Sequence, residues 1–303
     1  MKIFELPQSW QLLKSGLIRN KWQNSAMTSP KTAFVLSGGG LLGSTQVGML
    51  QALIEAGISP DLVLGASIGA INGAGFAQQP NSAGVAKLTE LWLNVADQSP
   101  FSGSVVERVS TLARTRVSLF ENESLRTLLL AQLNVAAIED LPIQFGCVAV
   151  RIQDAREVWF ESGPLVPAIL ASSAAPGIYP PVHIGDADYM DGGIVNPVPV
   201  DRARKLGATR IFVLQVGKME QSLPVPTNPI SSALTALEIA RRARFNAAVA
   251  KAQETAEVYL LPTGSNTILS VDRAAFDPRE AKRVIERMDS AYDATRTFLA
   301  NRF

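Results

Sequence analysis

The chain is poor in the residues on which most metal and redox sites depend. Its 303 residues include one histidine, His183, and one cysteine, Cys147. A metal site built on two or three histidines is therefore excluded, and a zinc site would rest almost wholly on carboxylates, which is rare. One cysteine cannot form an intramolecular disulfide, and the apolar run 143–150 around it predicts a buried strand residue. Any general base is therefore expected to be a carboxylate rather than an imidazole.

The sequence also lacks an excess of charge of one sign and a long apolar run. It has 28 Lys and Arg residues against 27 Asp and Glu residues. Proteins that bind a phosphate backbone usually carry a clear basic excess, so no nucleic-acid partner is expected. No apolar stretch of about 20 residues is present, so no bilayer-spanning helix is expected. Together with the lone cysteine, these absences predict a cytoplasmic protein, with its N-terminal segment as the candidate contact to a membrane surface.

That N-terminal segment, residues 1–26, differs in pattern from the rest of the chain. Four basic residues and one acidic residue accompany apolar side chains at roughly helical spacing, and polar residues interrupt them too often for a signal peptide. Two structures remain open for an arm over 1–30. It either lies on an anionic membrane as a basic amphipathic helix, or packs on the domain or extends from it. The apolar residues are Phe4, Trp10, Leu13, Leu17 and Trp22.

From residue 31 onward, apolar strands alternate with helical patterns. Such alternation indicates a parallel sheet covered on both faces. We predict an α/β fold, a three-layer α/β/α sandwich with a mainly parallel central sheet, plus C-terminal helices. The catalytic domain is expected over 31–217, and a mainly helical extension over 218–303 packs on it. Strands are predicted at 32–36, 62–66, 143–150, 157–160, 210–216 and 256–261, and helices at 44–56, 68–77, 164–175, 200–206, 231–255 and 278–300. Residues 80–140 look mostly helical, and the irregular stretch 97–118 is a candidate lid.

A loop rich in glycine follows the first predicted strand and opens a helix. Gly38, Gly39, Gly40 and Gly43 fit the G-x-G-x-x-G pattern of dinucleotide-binding loops. That function also needs an acidic residue at the end of the second strand, and the nearest one, Asp61, precedes that strand. Exposed N–H groups at a helix start can instead bind the oxyanion of an acyl-transfer intermediate. We therefore predict an oxyanion hole formed by Gly38, Gly39 and Gly40.

The second strand runs into a G-x-S-x-G motif. In Gly65-Ala66-Ser67-Ile68-Gly69 the serine sits between a strand and a helix, which is the position of a nucleophile elbow. Gly65 and Gly69 would let the helix pass close to the strand. Because the carboxyl ends of neighbouring parallel strands lie side by side, the glycine loop and Ser67 are expected to face one crevice. Ser67 is therefore the candidate nucleophile.

The general base is less clearly marked by the residues themselves. An α/β-hydrolase would carry Asp or Glu and then His after its serine, but His183 precedes Asp191 and apolar residues flank it. We expect His183 to be an ordinary surface or strand residue. Asp191 follows a short strand and precedes Gly192 and Gly193, which allow a sharp turn beside a crowded site. From spacing alone, a base and an ordinary Asp-Gly-Gly turn remain equally open.

In this order the motifs resemble those of the patatin-like phospholipase family. That family carries a glycine-rich oxyanion loop, a G-x-S-x-G elbow and a D-G-G or D-G-A motif, as this chain does at 38–43, 65–69 and 191–193. The stretches 171–177 and 191–200 look similar as well, so the resemblance covers about residues 32–216. One position departs from the family pattern: Leu42 stands where a Lys or Arg usually precedes the last glycine of the loop. Without that positive charge beside the loop, we expect either a lower rate of ester hydrolysis or a substrate less anionic than a phospholipid.

The resemblance implies a phospholipase, lysophospholipase or lipase that needs no metal or organic cofactor. By analogy Asp191 deprotonates Ser67, the serine forms an acyl-enzyme, and the Gly39 and Gly40 N–H groups hold the oxyanion. Activity should then fall in acid. Two alternatives stay open. One is an acyltransferase that uses the same serine. The other is a membrane-associated scaffold with a degenerate site, which Leu42 and the basic N-terminal segment favour. The substrate is expected to be a lipid or lysolipid.

Overall fold

The protein is described here from a computed structural model that covers residues 30–97, 111, 114, 117–217, 222–264 and 283–303. The arm predicted at 1–26 and most of the candidate lid at 97–118 lie outside these residues. Within the described ranges the chain forms a central sheet with helices on both faces. The predicted three-layer α/β/α architecture is therefore confirmed.

The sheet contains eight strands. Its order is β5-β6-β3-β2-β1-β7-β8, with β4 also paired to β3. The pairs β1–β2, β1–β7, β2–β3 and β7–β8 are parallel, and the pairs formed by β4, β5 and β6 are antiparallel. The strands are β1 (Thr32–Leu36), β2 (Leu62–Ala66), β3 (Gln144–Arg151), β4 (Arg156–Phe160), β5 (Val182–Ile184), β6 (Ala187–Asp191), β7 (Arg210–Leu214) and β8 (Glu257–Leu260).

Eight α-helices are described, with three short 3-10 turns between them. The turns cover Gly40–Gly43, Ile138–Asp140 and Gly192–Ile194. The helices are α1 (Ser44–Glu55), α2 (Ile68–Ala77), α3 (Ser82–Asp97), α4 (Asn122–Gln132), α5 (Leu165–Ser172), α6 (Val200–Lys205), α7 (Pro229–Gln253) and α8 (Val284–Ala300).

The alternation of side chains along the strands separates two hydrophobic cores. Phe34 and Leu36 of β1 belong to the larger core, which α1, α2, α3, α4, α5 and α8 cover. Ala33 and Val35 belong to the smaller core on the opposite face, which α6 and α7 cover. All five residues of β1 and all five of β2 are buried, because a parallel sheet covered on both faces has no solvent side. The two strands that precede the glycine loop and Ser67 are thus the most enclosed part of the fold.

The prediction was wrong in two places near the site. The hairpin β5–β6 was not predicted as a strand pair; only its end at Tyr189 and Met190 was noted. The helix predicted to reach 175 ends at Ser172. The residues that follow are engaged elsewhere: the Ala174 carbonyl accepts a hydrogen bond from the Asp191 N–H at 3.0 Å, and Pro176 disfavours a helical residue before it.

Candidate active site

The glycine loop after β1 adopts a backbone that only glycine accommodates easily. Gly39 has φ 153° and Gly40 has φ 54°. A Cβ atom on Gly39 would lie 2.1 Å from Cγ2 of Val216, so a side chain there would collide with the segment after β7. At the end of the loop, a Cβ atom on Gly43 would lie 2.4 Å from Cγ1 of Ile68. The glycines therefore allow the loop to fold tightly beside Ser67.

The N–H groups of the loop do not all have the same role. The Gly38 N–H donates to the Pro197 carbonyl at 3.1 Å, which anchors the loop to the segment after Asp191. The N–H groups of Gly39 and Gly40 have no hydrogen-bond partner in the described part of the chain, and both residues line the same cavity as Ser67. Two of the three predicted donors are thus open to a ligand, and the third is engaged.

Ser67 occupies the turn between β2 and α2 in a strained conformation. Its φ is 55° and its ψ is −124°, in the positive-φ region that costs a non-glycine residue about 1–3 kcal/mol. Gly65 and Gly69 allow that turn: a Cβ atom on Gly65 would lie 2.2 Å from the Gly69 carbonyl oxygen, and one on Gly69 would lie 2.3 Å from the Leu36 carbonyl oxygen. The helix therefore passes directly against the ends of β1 and β2.

Two serines of the stretch 171–177 hold the backbone of Ser67. Its N–H donates to Oγ of Ser172 at 3.1 Å, and its carbonyl oxygen accepts a hydrogen bond from the Ser173 hydroxyl at 3.2 Å. Both serines are buried. These hydrogen bonds offset part of the cost of its positive φ. The bond to Ser172 satisfies the N–H, and the carbonyl oxygen, which also accepts the Ala70 N–H at 2.8 Å, gains a further partner in Ser173.

The register of β3 brings Asp191 to Ser67. Along one edge of β3 the ladder with β2 ends at the pair Ala66 and Val148. The next residue, Ala149, pairs with Asp191, the last residue of β6. Strand β4 pairs with Cys147–Arg151 along the other edge of β3, so β2 and β6 pair with successive parts of the same edge. Ser67 directly follows β2, and it therefore lies close to Asp191 at the end of β6.

Asp191 is buried and lines the same cavity as Ser67. Its side chain accepts the N–H of Gly193 at 2.7 Å, and the residue is 6% exposed. Burial raises the pKa of the Asp191 carboxyl above its ordinary value, because the ionised form loses its hydration. Hydrogen bonding to Ser67 and to the Gly193 N–H, and the positive charge of Arg241, lower the pKa in part. A carboxyl group with a raised pKa in the same cavity as a serine hydroxyl is suited to take the serine proton.

Gly192 and Gly193 allow the turn after Asp191. A Cβ atom on Gly192 would lie 2.1 Å from the Val148 carbonyl oxygen, so the backbone of this residue touches β3. A Cβ atom on Gly193 would lie 3.0 Å from Oδ1 of Asp191. Both predicted turn glycines thus stand where a side chain would collide with the sheet or crowd the carboxyl group.

Two cavities meet at Ser67. The first has a volume of about 90 Å³, and apolar side chains from α2, α3 and α4 line most of it, Ile71, Trp92 and Leu125 among them. The second has a volume of about 290 Å³ and contains the open amides, Asp191 and one cation, Arg241 of α7. Gly40, Ser67 and Ala175 line both. A molecule bonded to Ser67 can therefore extend an apolar part into the first cavity and a polar part into the second.

A buried polar chain connects the glycine loop to the wall of the apolar cavity. The Trp92 indole N–H donates to Oδ1 of Asn72 at 3.0 Å. The Asn72 amide donates to the Gly43 carbonyl at 3.0 Å and to Oε1 of Gln46 at 2.8 Å, and Gln46 donates to the Ser37 carbonyl at 2.8 Å. This chain fixes both ends of the loop. Asn72 and Gln46 look like ordinary helix residues in the sequence, so their role could not be predicted from it.

The geometry agrees with one known protein family. Residues 34–204, more than half of the chain, match the sequence model of the family described as Patatin-like phospholipase. The chain belongs to the patatin-like phospholipase family. The matched region contains the glycine loop, Ser67 and Asp191, and it ends before Arg241. The sequence resemblance is thus confirmed at the level of the family.

Several curated proteins are similar to this patatin-like region. ZK370.4, a patatin-like phospholipase domain-containing protein of Caenorhabditis elegans, is 31% identical over 198 residues, which are 65% of this chain and 14% of that protein. Lysophospholipase nte1 of Aspergillus terreus is 30% identical over 190 residues, 63% of this chain and 12% of that protein. Human patatin-like phospholipase domain-containing protein 6 is 30% identical over 198 residues, which are 65% of this chain and 14% of that protein. The chain therefore spans a small part of the length of these relatives.

A solved structure with a similar arrangement is VipD from Legionella pneumophila. It superposes on this chain with a TM-score of 0.43 at 16% identity, and the alignment covers 91% of this chain and 68% of that one.

Other residues singled out in the sequence lie away from the patatin-like site. His183 is on β5, is partly exposed and contacts Oδ1 of Asp188 through Nδ1 at 2.9 Å. Cys147 is fully buried in β3, and burial raises the pKa of its thiol. Asp61 accepts the Thr32 N–H at 2.8 Å at the start of β1, far from the loop after its end. These positions match the predictions made for them.

Across the described residues, no group of three or more His, Cys, Asp or Glu side chains is arranged to hold a metal ion. In the same ranges, no helix has both the length and the apolar character needed to cross a membrane.

Proposed function

We propose that this protein is a lipid acyl-ester hydrolase of the phospholipase or lysophospholipase type that uses Ser67 and Asp191 as a dyad. The observation that carries the proposal is that one cavity brings together Ser67, the buried carboxyl group of Asp191 and two open amides. Family membership supports a carboxylic ester hydrolase, and the strained turn at Ser67 supports a nucleophile elbow. No cofactor is needed for this chemistry.

The proposed reaction has two halves. In the first, Asp191 takes the hydroxyl proton while Oγ of Ser67 bonds to the ester carbonyl carbon, and the Gly39 and Gly40 N–H groups bind the oxyanion. The carbon–oxygen bond to the alcohol then breaks, and Asp191 returns the proton to the leaving alcohol. In the second half, Asp191 takes a proton from water, the hydroxide attacks the acyl-enzyme, and the proton returns to Ser67 as the fatty acid leaves.

The test of this function is fatty acid release together with active-site labelling. We expect the full chain to release fatty acid from phospholipid, lysophospholipid or triacylglycerol, and a fluorophosphonate to block that release. Mass spectrometry of the labelled protein should find the adduct on Ser67. Adding an alcohol acceptor distinguishes a hydrolase from an acyltransferase, which would give a new ester instead of free acid. No release from any substrate and no label on Ser67 would support the scaffold alternative.

The pH dependence of the reaction should reflect the raised pKa of Asp191. The base must be ionised, so kcat/KM falls as the pH drops through the folded-state pKa. Since burial raises that pKa, the loss should begin at a higher pH than for an ordinary aspartate, whose pKa is about 3.9. The measurement is kcat/KM on a soluble ester from about pH 4 to 8, with circular dichroism at each pH to follow folding. A flat profile over this range would contradict the assignment of Asp191 as the base.

The apolar cavity is expected to hold the acyl chain. Leu125 of α4 lines it, so Leu125→Trp should fill it and lower kcat/KM for a palmitoyl ester by at least about 10-fold relative to an acetyl ester. Leu130→Trp is the matched control: Leu130 lies on the same helix, is 54% exposed and does not line the cavity. Equal effects of the two variants on the palmitoyl-to-acetyl ratio would show that the chain binds elsewhere.

A further inference from the structure

The larger cavity carries a positive charge that the proposed reaction does not use. Among the described residues that line it, Arg241 is the one cation and Asp191 is the one anion. The apolar cavity on the other side of Ser67 has no charged residue among its described lining. An ester bonded to Ser67 with its acyl chain in the apolar cavity must extend its alcohol part toward Arg241.

Arg241 shares its partner Glu238 with a second arginine on the same turn of α7. The Arg241 side chain is 14% exposed, and its Nη1 lies 3.5 Å from Oε2 of Glu238. Glu238 is bonded more closely to a second arginine, since Nε of Arg242 lies 2.8 Å from Oε1. Two cations thus share one carboxylate. A charge so little exposed to water acts on its neighbours more strongly than one on the surface does.

Gly193 leaves the space between Arg241 and Asp191 open. A Cβ atom on this glycine would lie 3.7 Å from Nη2 of Arg241 and 3.0 Å from Oδ1 of Asp191. The guanidinium group therefore faces the reacting groups across a gap with no side chain. A group attached to the alcohol oxygen of the substrate would occupy this gap, within reach of the arginine.

Helix α7 holds Arg241 in a defined position. The helix begins with a capping box, in which Asn228 and Ser231 bond each other's backbone N–H groups. Its later part packs on the smaller core through Phe245 and Val249, and Arg244 forms an ion pair with Glu157. A cation on a helix anchored at both ends meets a ligand with little loss of conformational freedom.

We propose that Arg241 is a specificity-determining residue that binds the phosphate of the substrate's head group and favours phosphate-bearing acyl esters over neutral ones. The proposal rests on the proposed function of Ser67 and Asp191. The planar guanidinium group can donate two parallel hydrogen bonds to phosphate oxygens. Arg241 lies on α7, beyond residues 34–204, and so outside the matched family region.

The test compares two esters that differ in phosphate alone. The kcat/KM values for 1-palmitoyl-sn-glycerol 3-phosphate and for 1-palmitoylglycerol are measured in mixed micelles of a neutral detergent, at a pH where Asp191 is fully ionised. The wild type should prefer the phosphate ester. Arg241→Gln should lower the ratio of the two values by about 10- to 100-fold, as loss of a charged hydrogen bond predicts. Arg241→Lys keeps the charge but cannot donate two parallel hydrogen bonds. Its kcat/KM ratio should lie between those of wild type and Arg241→Gln.

Arg242→Gln is the matched control, because it removes an equal charge from the same helix, and Arg242 does not line the cavity. It should change the ratio by less than about three-fold. An equal fall of both rates in Arg241→Gln would overturn the proposal, since Arg241 would then act on Asp191 or on folding. A loss of preference in Arg242→Gln as large as in Arg241→Gln would overturn it too.

Direct binding separates failure of this proposal from failure of the hydrolase. sn-Glycerol 3-phosphate should bind wild type by calorimetry and should bind Arg241→Gln at least about 10-fold more weakly. If wild type hydrolyses neither ester but shows this difference, the proposed function fails and the phosphate site stands. If both proteins bind it equally, or neither binds it, Arg241 is not a phosphate site. Stimulation of 1-palmitoylglycerol hydrolysis by inorganic phosphate would show an effector site for free anions and would also overturn the proposal.

Discussion

Replacing Asp191 with asparagine should lower kcat for ester hydrolysis by about 10⁴-fold, close to the background of Ser67→Ala. Asparagine has nearly the same shape and can still accept the Gly193 N–H. It cannot take a proton from the Ser67 hydroxyl or from water, so both halves of the proposed reaction stop. The measurement is fatty acid release under substrate saturation, together with the rate of fluorophosphonate labelling, which should fall in parallel because the serine is no longer activated.

The same variant should not be less stable than wild type. The pKa of Asp191 is raised by burial, so above the unfolded-state pKa its ionised form is penalised in the folded protein. A neutral asparagine removes that penalty, and we expect an equal or higher Tm near neutral pH. Asp188→Asn is the control, since Asp188 lies on the same strand but is only partly buried and contacts His183. Activity within about 10-fold of wild type in Asp191→Asn would mean that another group accepts the serine proton.

Three elements around the glycine loop and Ser67 could be predicted from the sequence because local signals agree there. The strands at 32–36 and 62–66 and the helix at 68–77 have the predicted bounds. Each is an apolar run bordered by glycine or polar residues, so hydrophobic periodicity and turn chemistry give the same boundary. The hairpin β5–β6 gave no such signal. β5 has three residues, and one of them, His183, faces solvent.

One part of the candidate site could be predicted from the sequence and another part could not. The motif at Ser67 has a local cause, the close approach of Gly65 and Gly69 to neighbouring backbone, so spacing could reveal it. The contact between Asp191 and Ser67 depends on the register of β3, which pairs Val148 with one strand and Ala149 with another. Spacing contains no information about that register. Only the family resemblance favoured Asp191 as a catalytic base over Asp191 as an ordinary turn residue. The hydrogen bonds of Ser172 and Ser173 to the Ser67 backbone could not be predicted either, because they also depend on how distant segments pack.

The contribution of helix α7 was missed because its sequence is unremarkable. Arg241 stands in a run of alternating basic and small residues that predicts a solvated helix face. Only the position of α7 beside the 3-10 turn after Asp191 turns one of these arginines toward the cavity. Arg244, three residues further along the same helix, forms an ordinary ion pair with Glu157. A side chain's direction along a long helix depends on packing that the sequence alone does not specify.

Replacing Gly39 with alanine should lower kcat by about 10²- to 10³-fold, the loss expected when one oxyanion donor is displaced. The new Cβ would lie 2.1 Å from Cγ2 of Val216, and φ 153° is strained for any residue other than glycine. The loop must shift, and its open amide moves away from the oxyanion. KM should change much less, because the two cavities proposed to bind the ends of the substrate stay in place. Steady-state kinetics on a soluble ester measures both.

A second substitution separates the collision from the backbone strain. Val216→Ala removes Cγ2, so Gly39→Ala with Val216→Ala should recover part of kcat, and the remaining loss reports the strained φ. Gly57→Ala is the matched control: Gly57 has φ 72°, and a Cβ atom there would meet nothing within 4 Å. It should lower stability by about 1–2 kcal/mol and leave kcat unchanged, because Gly57 lines neither cavity. If Gly39→Ala kept full activity while Gly57→Ala was destabilised as expected, the amides of this loop would not be the oxyanion donors. The N–H groups at the start of α2, beside Ser67, would then be the next candidates, since helix N-termini favour negative charge.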